Sequence, residues 1–200
     1  TGLAPRYGRA PKSRRNLLSK TRAWSGAPWS ITNSGTGVAP VVTDNAELAP
    51  DGTMRATRIV LNKGAGTSTG DYVSIGQSVS LSSGGKYAAG IWLRTTDGST
   101  KQIQMRDDGA TSYNPIIVTV TPIWQRFTST GTAVASSGSL KLWLRGGQGT
   151  SDSASLAAFD PQLEAGLAPT APQVVDTAYD MTEAGVPSFG FARFDLVDDA

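Results

Sequence analysis

The chain contains no cysteine and no histidine. The first absence excludes a disulfide framework and a thiolate metal site, and with them any redox clue to compartment. The second removes the commonest general base and the commonest transition-metal ligand, so any metal would be a hard cation on oxygen ligands. Long apolar runs are missing too. None approaches the roughly 18 residues of a membrane span, and the charged N-terminus leads into no hydrophobic stretch of the signal-peptide kind. The expectation is a soluble protein without a membrane partner. Charge is sparse, at 17% of residues, and acid is absent altogether from the first 43 positions.

Arg6, Arg9, Lys12, Arg14, Arg15, Lys20 and Arg22 all precede Asp44. Seven of the 18 basic residues thus stand ahead of the first acid, leaving eleven against 16 acidic residues in the remainder. A mildly acidic body carries a basic N-terminal arm, residues 1–15. The arm lacks the aromatic interleaving of a single-strand nucleic-acid groove, so a solvated arm or one docked on an acidic protein neighbour is the stronger expectation.

The 200 residues suffice for one packed domain with chain left over for extensions. From Asn16 to about Glu164 the apolar pattern has period two. In KYAAGIWLRT, Tyr87, Ala89, Ile91 and Leu93 share one face while Trp92 and Arg94 point the other way. In KQIQMR, Ile103 and Met105 face inward, and in SLKLWLRG, Leu140, Leu142 and Leu144 share a face. Breakers at APDGT, SSGG, DDG and ASSGS recur too often for helices of three turns. Seven to ten short strands predict an all-β, antiparallel two-sheet β-sandwich over residues 16–170. Prolines 169 and 172 end it, and a C-terminal tail, 171–200, carries Phe189, Phe191 and Phe194. A tail this apolar is expected to pack, either back on its own domain or into a neighbouring chain.

The ordered segments RRNLLSKTRAW, APDGTMRATRI, GKYAAGIWLR, TPIWQRFTSTGT and AAFDPQLEAGLAPTAP, spanning about residues 14–172, resemble a carbohydrate-binding-module-like jelly roll. That module recurs in bacteriophage tail fibres, head spikes and related virion proteins. The resemblance implies a virion structural or attachment protein, displayed on a particle surface and often trimeric. Its partners would be other virion proteins and, for a host-binding copy, bacterial surface polysaccharide. No cofactor is implied beyond a structural calcium where the first strand meets the last, with Asn16 and Asp160 as oxygen donors.

Two strands repeat the Trp-Leu-Arg step. If they shared a sheet, Trp92 with Arg94 and Trp143 with Arg145 would form an indole floor rimmed by guanidiniums, on which sugar C–H faces stack. The competing use of the same four residues is a covered interface with arginine stacked on indole. Trp24 and Trp29 flank a short loop that could line a cleft or pack arm against body. Trp124 is expected to cap the core. The basic residues Arg6, Arg9, Lys12, Arg14 and Arg15 and the three tail phenylalanines are the assembly candidates. Catalysis needs placed acids, bases or nucleophiles, and the sequence offers no triad, phosphate loop or metal cluster. Asp97, Asp107, Asp108 and Asp152 fall in turns, where carboxylates have ordinary work. The expectation is a non-enzymatic binding or assembly protein, with a dedicated carbohydrate-binding module as the alternative and a polysaccharide depolymerase as the weakest rival.

Overall fold

A computed structural model describes residues 15–105 and 116–176 and the backbone of residues 182–183. The strands run β1 Ser30–Ser34, β2 Val38–Leu48, β3 Met54–Asn62, β4 Tyr72–Ser80, β5 Lys86–Thr95, β6 Lys101–Met105, β7 Ile116–Val120, β8 Gln125–Thr132, β9 Ser137–Arg145 and β10 Ser153–Ala165. A short pair, β11 Gln173–Val174 and β12 Thr182–Glu183, follows. Two five-stranded antiparallel sheets result, a first in the order β1-β4-β9-β6-β7 and a second in the order β2-β3-β10-β5-β8. This is the expected sandwich, and no helix occurs among the described residues.

Alternation builds the core, because successive side chains leave a strand on opposite faces. Ile75 of β4, Leu140, Leu142 and Leu144 of β9 and Ile103 and Met105 of β6 point inward from the first sheet. Ile59 and Leu61 of β3, Ala89, Ile91 and Leu93 of β5 and Leu156 of β10 meet them from the second. At roughly 1.5–3 kcal/mol for each fully buried aliphatic side chain, this inter-sheet layer dominates the gross stabilisation. Tight turns join the strands. Gly52 and Gly98 adopt φ values of 79° and 76°, a region that favours glycine.

Strand β10 changes phase midway. Phe159 pairs with Trp92 and Gln162 with Gly90, so three steps on β10 match two on β5. Asp160, at φ 45°, sits in this bulge, where an aspartate tolerates the left-handed region better than most residues. The extra residue lets Phe159 face outward and Leu163 face the core, although four residues apart they would otherwise share a side.

The two ends of the body are laced together. The Asn16 amide donates to the carbonyls of Pro161 and Gln173, and its oxygen accepts from the amides of Leu18 and Leu163. Leu17 N–H bonds Leu163 O at 2.7 Å and Thr21 N–H bonds Val175 O at 3.0 Å. Val175 is fully buried, so the packed body reaches beyond residue 170.

Candidate functional site

The outward positions of the two sheets differ in chemistry. The second sheet's strands carry Asp44, Glu47, Asp160 and Glu164 beside Arg55, Arg58, Lys86, Arg94 and Arg126. Most of these charges are paired on the spot. Glu47 accepts from Arg58 Nε at 2.6 Å and from Arg94 Nη2 at 2.7 Å. Trp92 and Trp124 pack on a small apolar patch of Ala49, Ala56 and Phe159. Arg94 lies 5.4 Å from the Trp124 ring centre, and Trp124 Nε1 donates to Leu48 O. The loop after β10 closes the rest. Arg126 Nη2 bonds Thr170 O at 2.6 Å, and a Cβ placed at Gly90 would stand 3.1 Å from Arg126 Nη2 and 3.3 Å from Pro169. This face is filled by the protein's own side chains.

The first sheet is acid-free: β1, β4, β6, β7 and β9 contain no Asp or Glu, while Lys101, Lys141 and Arg145 supply positive charge. Across its outer face one register row reads Thr32, Ser74, Trp143, Gln104 and Ile117. The row is sunk at its centre. Ser74 and Gln104 are each 1% exposed and Trp143 is 7% exposed, while Thr32 and Ile117 at the edges face solvent. Tyr72 meets the Trp143 indole edge-on at 5.6 Å and 80°. Lys141 and Arg145, two residues to either side on β9, each bring a cationic group to 4.8 Å from the indole centre. Arg145 Nε donates to Thr69 O at 2.8 Å. Trp143 Nε1 and Gln104 Oε1 are both buried with no hydrogen-bond partner among the described residues. A buried donor or acceptor left unpaired costs about 1–3 kcal/mol, so a donor and an acceptor on directly paired residues stand ready for a ligand that carries both functions, as a hydroxyl does.

The doubled Trp-Leu-Arg step therefore does not make one floor. Trp92 with Arg94 lies on β5 in the second sheet and Trp143 with Arg145 on β9 in the first, so the two indoles look out from opposite sides of the sandwich. Sheet membership is set by long-range pairing, which strand periodicity does not encode. Trp124 caps the outward patch rather than the inter-sheet core. Trp24 and Trp29 stack at 3.9 Å and 7°, donate their Nε1–H groups to Thr21 O and Lys20 O, and belong to the core. With Ser25, Ile31, Pro40, Val41 and Val42 they line a mostly apolar groove of about 320 Å³ between the edge strands β1 and β2.

Asn16 and Asp160 do not fit a calcium site. The only oxygen of the Asn16 side chain already accepts two backbone amides, and Asp160 faces Arg22 at 3.8 Å. Hard cations need several uncommitted oxygens, and no cluster of three potential acidic ligands occurs among the described residues. Burial pushes the Asp160 carboxyl above its ordinary range, with the Arg22 charge opposing. Arg15, expected in the arm, is instead anchored on the body, with its Nε 3.7 Å from Glu164 and its amide on Gln173 Oε1. Arg6, Arg9, Lys12, Arg14, Phe189, Phe191 and Phe194, with Asp107 and Asp108, lie outside the described residues.

Of the remaining turn carboxylates, Asp97 accepts from Ser99 N–H and Oγ–H, and these bonds hold it below the usual range. Asp152 pairs with Lys63 at 2.5 Å. Sequence reasoning missed Gln104, Ser74, Tyr72 and Lys141 as neighbours of Trp143. Lys141 was within reach of it, since i and i+2 share a face of a strand, whereas the other three depend on cross-strand register.

No protein-family model matches the sequence, and no curated protein matches it either. Solved structures do resemble the fold. The TmCBM61 module, solved with β-1,4-galactotriose, aligns at a TM-score of 0.51 and 16% identity, over 76% of this chain and all of that one. The CBM22-1 xylan-binding domain of Paenibacillus barcinonensis Xyn10C aligns at 0.49 and 16%, over 78% and 97% of the two chains. Tailspike protein 4 of bacteriophage CBA120 aligns at 0.49 and 13%, over 75% of this chain and 21% of that one. At 16% identity the likeness to the TmCBM61 module shows the fold alone, a jelly-roll sandwich.

Proposed function

We propose that this domain is a non-catalytic glycan-binding module and that the outer face of the first sheet, centred on Trp143, is its binding surface. The observation that carries the reading is the pair Trp143 Nε1 and Gln104 Oε1, without a hydrogen-bond partner among the described residues, on the floor of a face that also bears hydroxyls, the Tyr72 ring, Ile117 and the cations of Lys141 and Arg145. Sugar recognition combines an aromatic surface for the C–H face with donors and acceptors for the hydroxyls. The galactotriose-bound module shares this architecture, which makes the reading economical. A glycan array with intrinsic-fluorescence titration tests it. Trp143→Phe removes the donor and keeps a ring, Gln104→Met removes the acceptor at similar volume, and each is expected to weaken binding by about tenfold, the worth of one lost hydrogen bond of 1–2 kcal/mol. Wild-type protein that responds to no glycan, or variants that bind unchanged, would sink it. Reducing-end release from polysaccharide is not expected.

A second reading, attachment and assembly on the surface of a phage-like particle, adds to the first. Bacterial surface polysaccharide would be the glycan and other virion proteins or further copies of this chain, in a trimer, the neighbours. The apolar groove favours it: Ile31 and Val41 are 48% and 61% exposed beside the stacked Trp24–Trp29 pair, and exposed apolar patches mark contact surfaces. Val175 is tied to Thr21 at the same corner as this groove. Native mass measurement is expected to give a trimer that Ile31→Asn with Val41→Asn dissociates. A monomer at high concentration would remove this reading and leave the first standing.

A further inference from the structure

The groove beside the Trp24–Trp29 stack is flanked by two sheet edges, since β1 is the outermost strand of the first sheet and β2 of the second. An outermost strand offers one side of its backbone to further pairing. Ile31 of β1 stands opposite Ile75, and Val42 of β2 stands opposite Ile59, both of them core residues. Directly paired residues share a face, so Ile31 and Val42 are turned toward the space between the sheets. Yet Ile31 is 48% exposed. The inter-sheet layer is left uncovered along this side of the sandwich.

We infer that this groove receives the C-terminal tail of a neighbouring copy of the chain, with Phe189 and Phe191 as the side chains that fill it. This rests on the assembly reading, which leaves open what part of a neighbour the groove holds. Residues 184–200 lie outside the described residues, and their sequence has the required form. Phe189 and Phe191 are two apart and share one face of an extended segment. Such a segment adds to a sheet edge through its main chain while alternate side chains enter the groove. Charge agrees with this. The tail carries Asp195, Asp198 and Asp199 beyond its rings, and β1 belongs to the sheet whose strands bear no acid. Exposed Lys20 stands at the groove, its carbonyl bonded to Trp29 Nε1. The acids of β2 are already engaged, Asp44 by the amides of Trp24 and Ser25 and Glu47 by Arg58 and Arg94.

Strand direction favours a neighbour's tail over the copy's own. Val175 is bonded to Thr21, and Thr21 O accepts from Trp24 Nε1, so β11 leads toward the corner that holds the groove. β12 runs antiparallel to β11, with Thr182 opposite Val174 and Glu183 opposite Gln173. At Glu183 the chain is therefore directed toward Ala171 and away from its own groove. The six residues from Glu183 to Phe189 reach at most about 20 Å when extended. A return to the copy's own groove would use that length on the reversal, whereas continuing outward delivers the rings to a second molecule. One tail and one groove on every copy make a head-to-tail contact, the kind that closes into a ring when the rotation between copies permits.

Native mass spectrometry of the full chain tests this with two double variants, Phe189→Ser with Phe191→Ser in the tail and Ile31→Asn with Val41→Asn in the groove. Each alone is expected to need at least about a tenfold higher concentration to assemble, as loss of a buried aromatic or aliphatic anchor implies. Mixed one to one, they should form a heterodimer and no larger species, because the pair retains a single intact tail and a single intact groove. Recovery in the mixture also shows that neither variant has merely failed to fold. Wild-type assembly that survives in the tail variant overturns the inference and spares the assembly reading. Assembly lost in the tail variant but kept in the groove variant overturns it as well, by placing the tail elsewhere. Two variants that remain monomeric when mixed overturn it too, since they are then not the two halves of one contact. A wild-type protein that is monomeric at high concentration removes the assembly reading and this inference with it.

Discussion

The outer faces of the two sheets share one backbone plan and one Trp-x-Arg step, yet they have opposite fates. On the second sheet Glu47 ties Arg58 and Arg94, Trp92 and Trp124 lie on Phe159, and the loop bearing Thr170 folds over Gly90. Most charged groups there have a partner within the chain, although among the described residues Arg126 Nε and Asp160 Oδ1 are buried without a hydrogen bond, and the indoles pack on the protein's own side chains. On the first sheet Trp143 sits between cations with its Nε1–H unanswered and Gln104 Oε1 unanswered beside it. A satisfied polar network rigidifies, while an unsatisfied one stores an incomplete interaction that a partner can complete. The same motif thus becomes scaffold on one sheet and the proposed site on the other, according to what its cross-strand neighbours supply.

That contrast can be broken by substitution, in order of expected effect. Glu47→Ala strips two guanidiniums of their shared carboxylate and should cost about 2–3 kcal/mol, toward the low end for a buried ion pair because Arg58 is half exposed. Chemical denaturation measures it, and a loss under about 0.5 kcal/mol would show the closed face to be no more braced than an ordinary surface. Gly90→Ala pushes a methyl against Arg126 and Pro169 and should cost about 1 kcal/mol, read as a lowered Tm. On the other side, Trp143→Phe removes an unpaired buried donor at little loss of area. Its stability should stay within about 1 kcal/mol of the parent while glycan binding falls. A collapse of the fold in that variant would place Trp143 among the scaffold indoles after all.

The smallest effect concerns Asp160 in the bulge. Burial raises its folded-state pKa above the ordinary 3.8. Both states are protonated at lower pH, so the group contributes nothing there. As pH climbs through 3.8 the unfolded chain ionises first, and stability falls until the folded-state pKa is passed. Asp160→Asn, which also tolerates the positive φ, should therefore match the parent at acid pH and exceed it at neutral pH. Thermal melts across that window decide the sign, and a variant weaker at neutral pH would mean that the Arg22 pair outweighs burial.

The fold was legible because alternation is local. Tyr87, Ala89, Ile91 and Leu93, and likewise Leu140, Leu142 and Leu144, announce one buried face from their spacing alone. The site was half legible: Trp143 and Arg145 stood out, but the partners that give them meaning, Gln104 and Ser74, come from strands 39 and 69 residues earlier than Trp143, and only the hydrogen-bonded register names them. Asn16 shows the reverse error. An amide near the ends of a lectin-like fold suggests an ion, yet its four hydrogen bonds go to backbone, a commitment that depends on where residues 161, 163 and 173 arrive. Trp24 and Trp29 were ambiguous for the same reason, since a loop position does not reveal whether an indole turns inward.

The bulge at Asp160 makes β10 two strands in one. Upstream of it the chain presents Phe159 to the outside, and downstream the parity is reversed so that Leu163 closes the interior and its amide reaches Asn16. Removing that single residue would leave composition and charge almost untouched, yet it would rotate the whole terminal third of the strand by half a turn, unseating the clasp between the chain's two ends. Insertions and deletions here act as a phase error, not a local defect, and a homologue with a different length at this point would have to rebuild its closing seam from other residues.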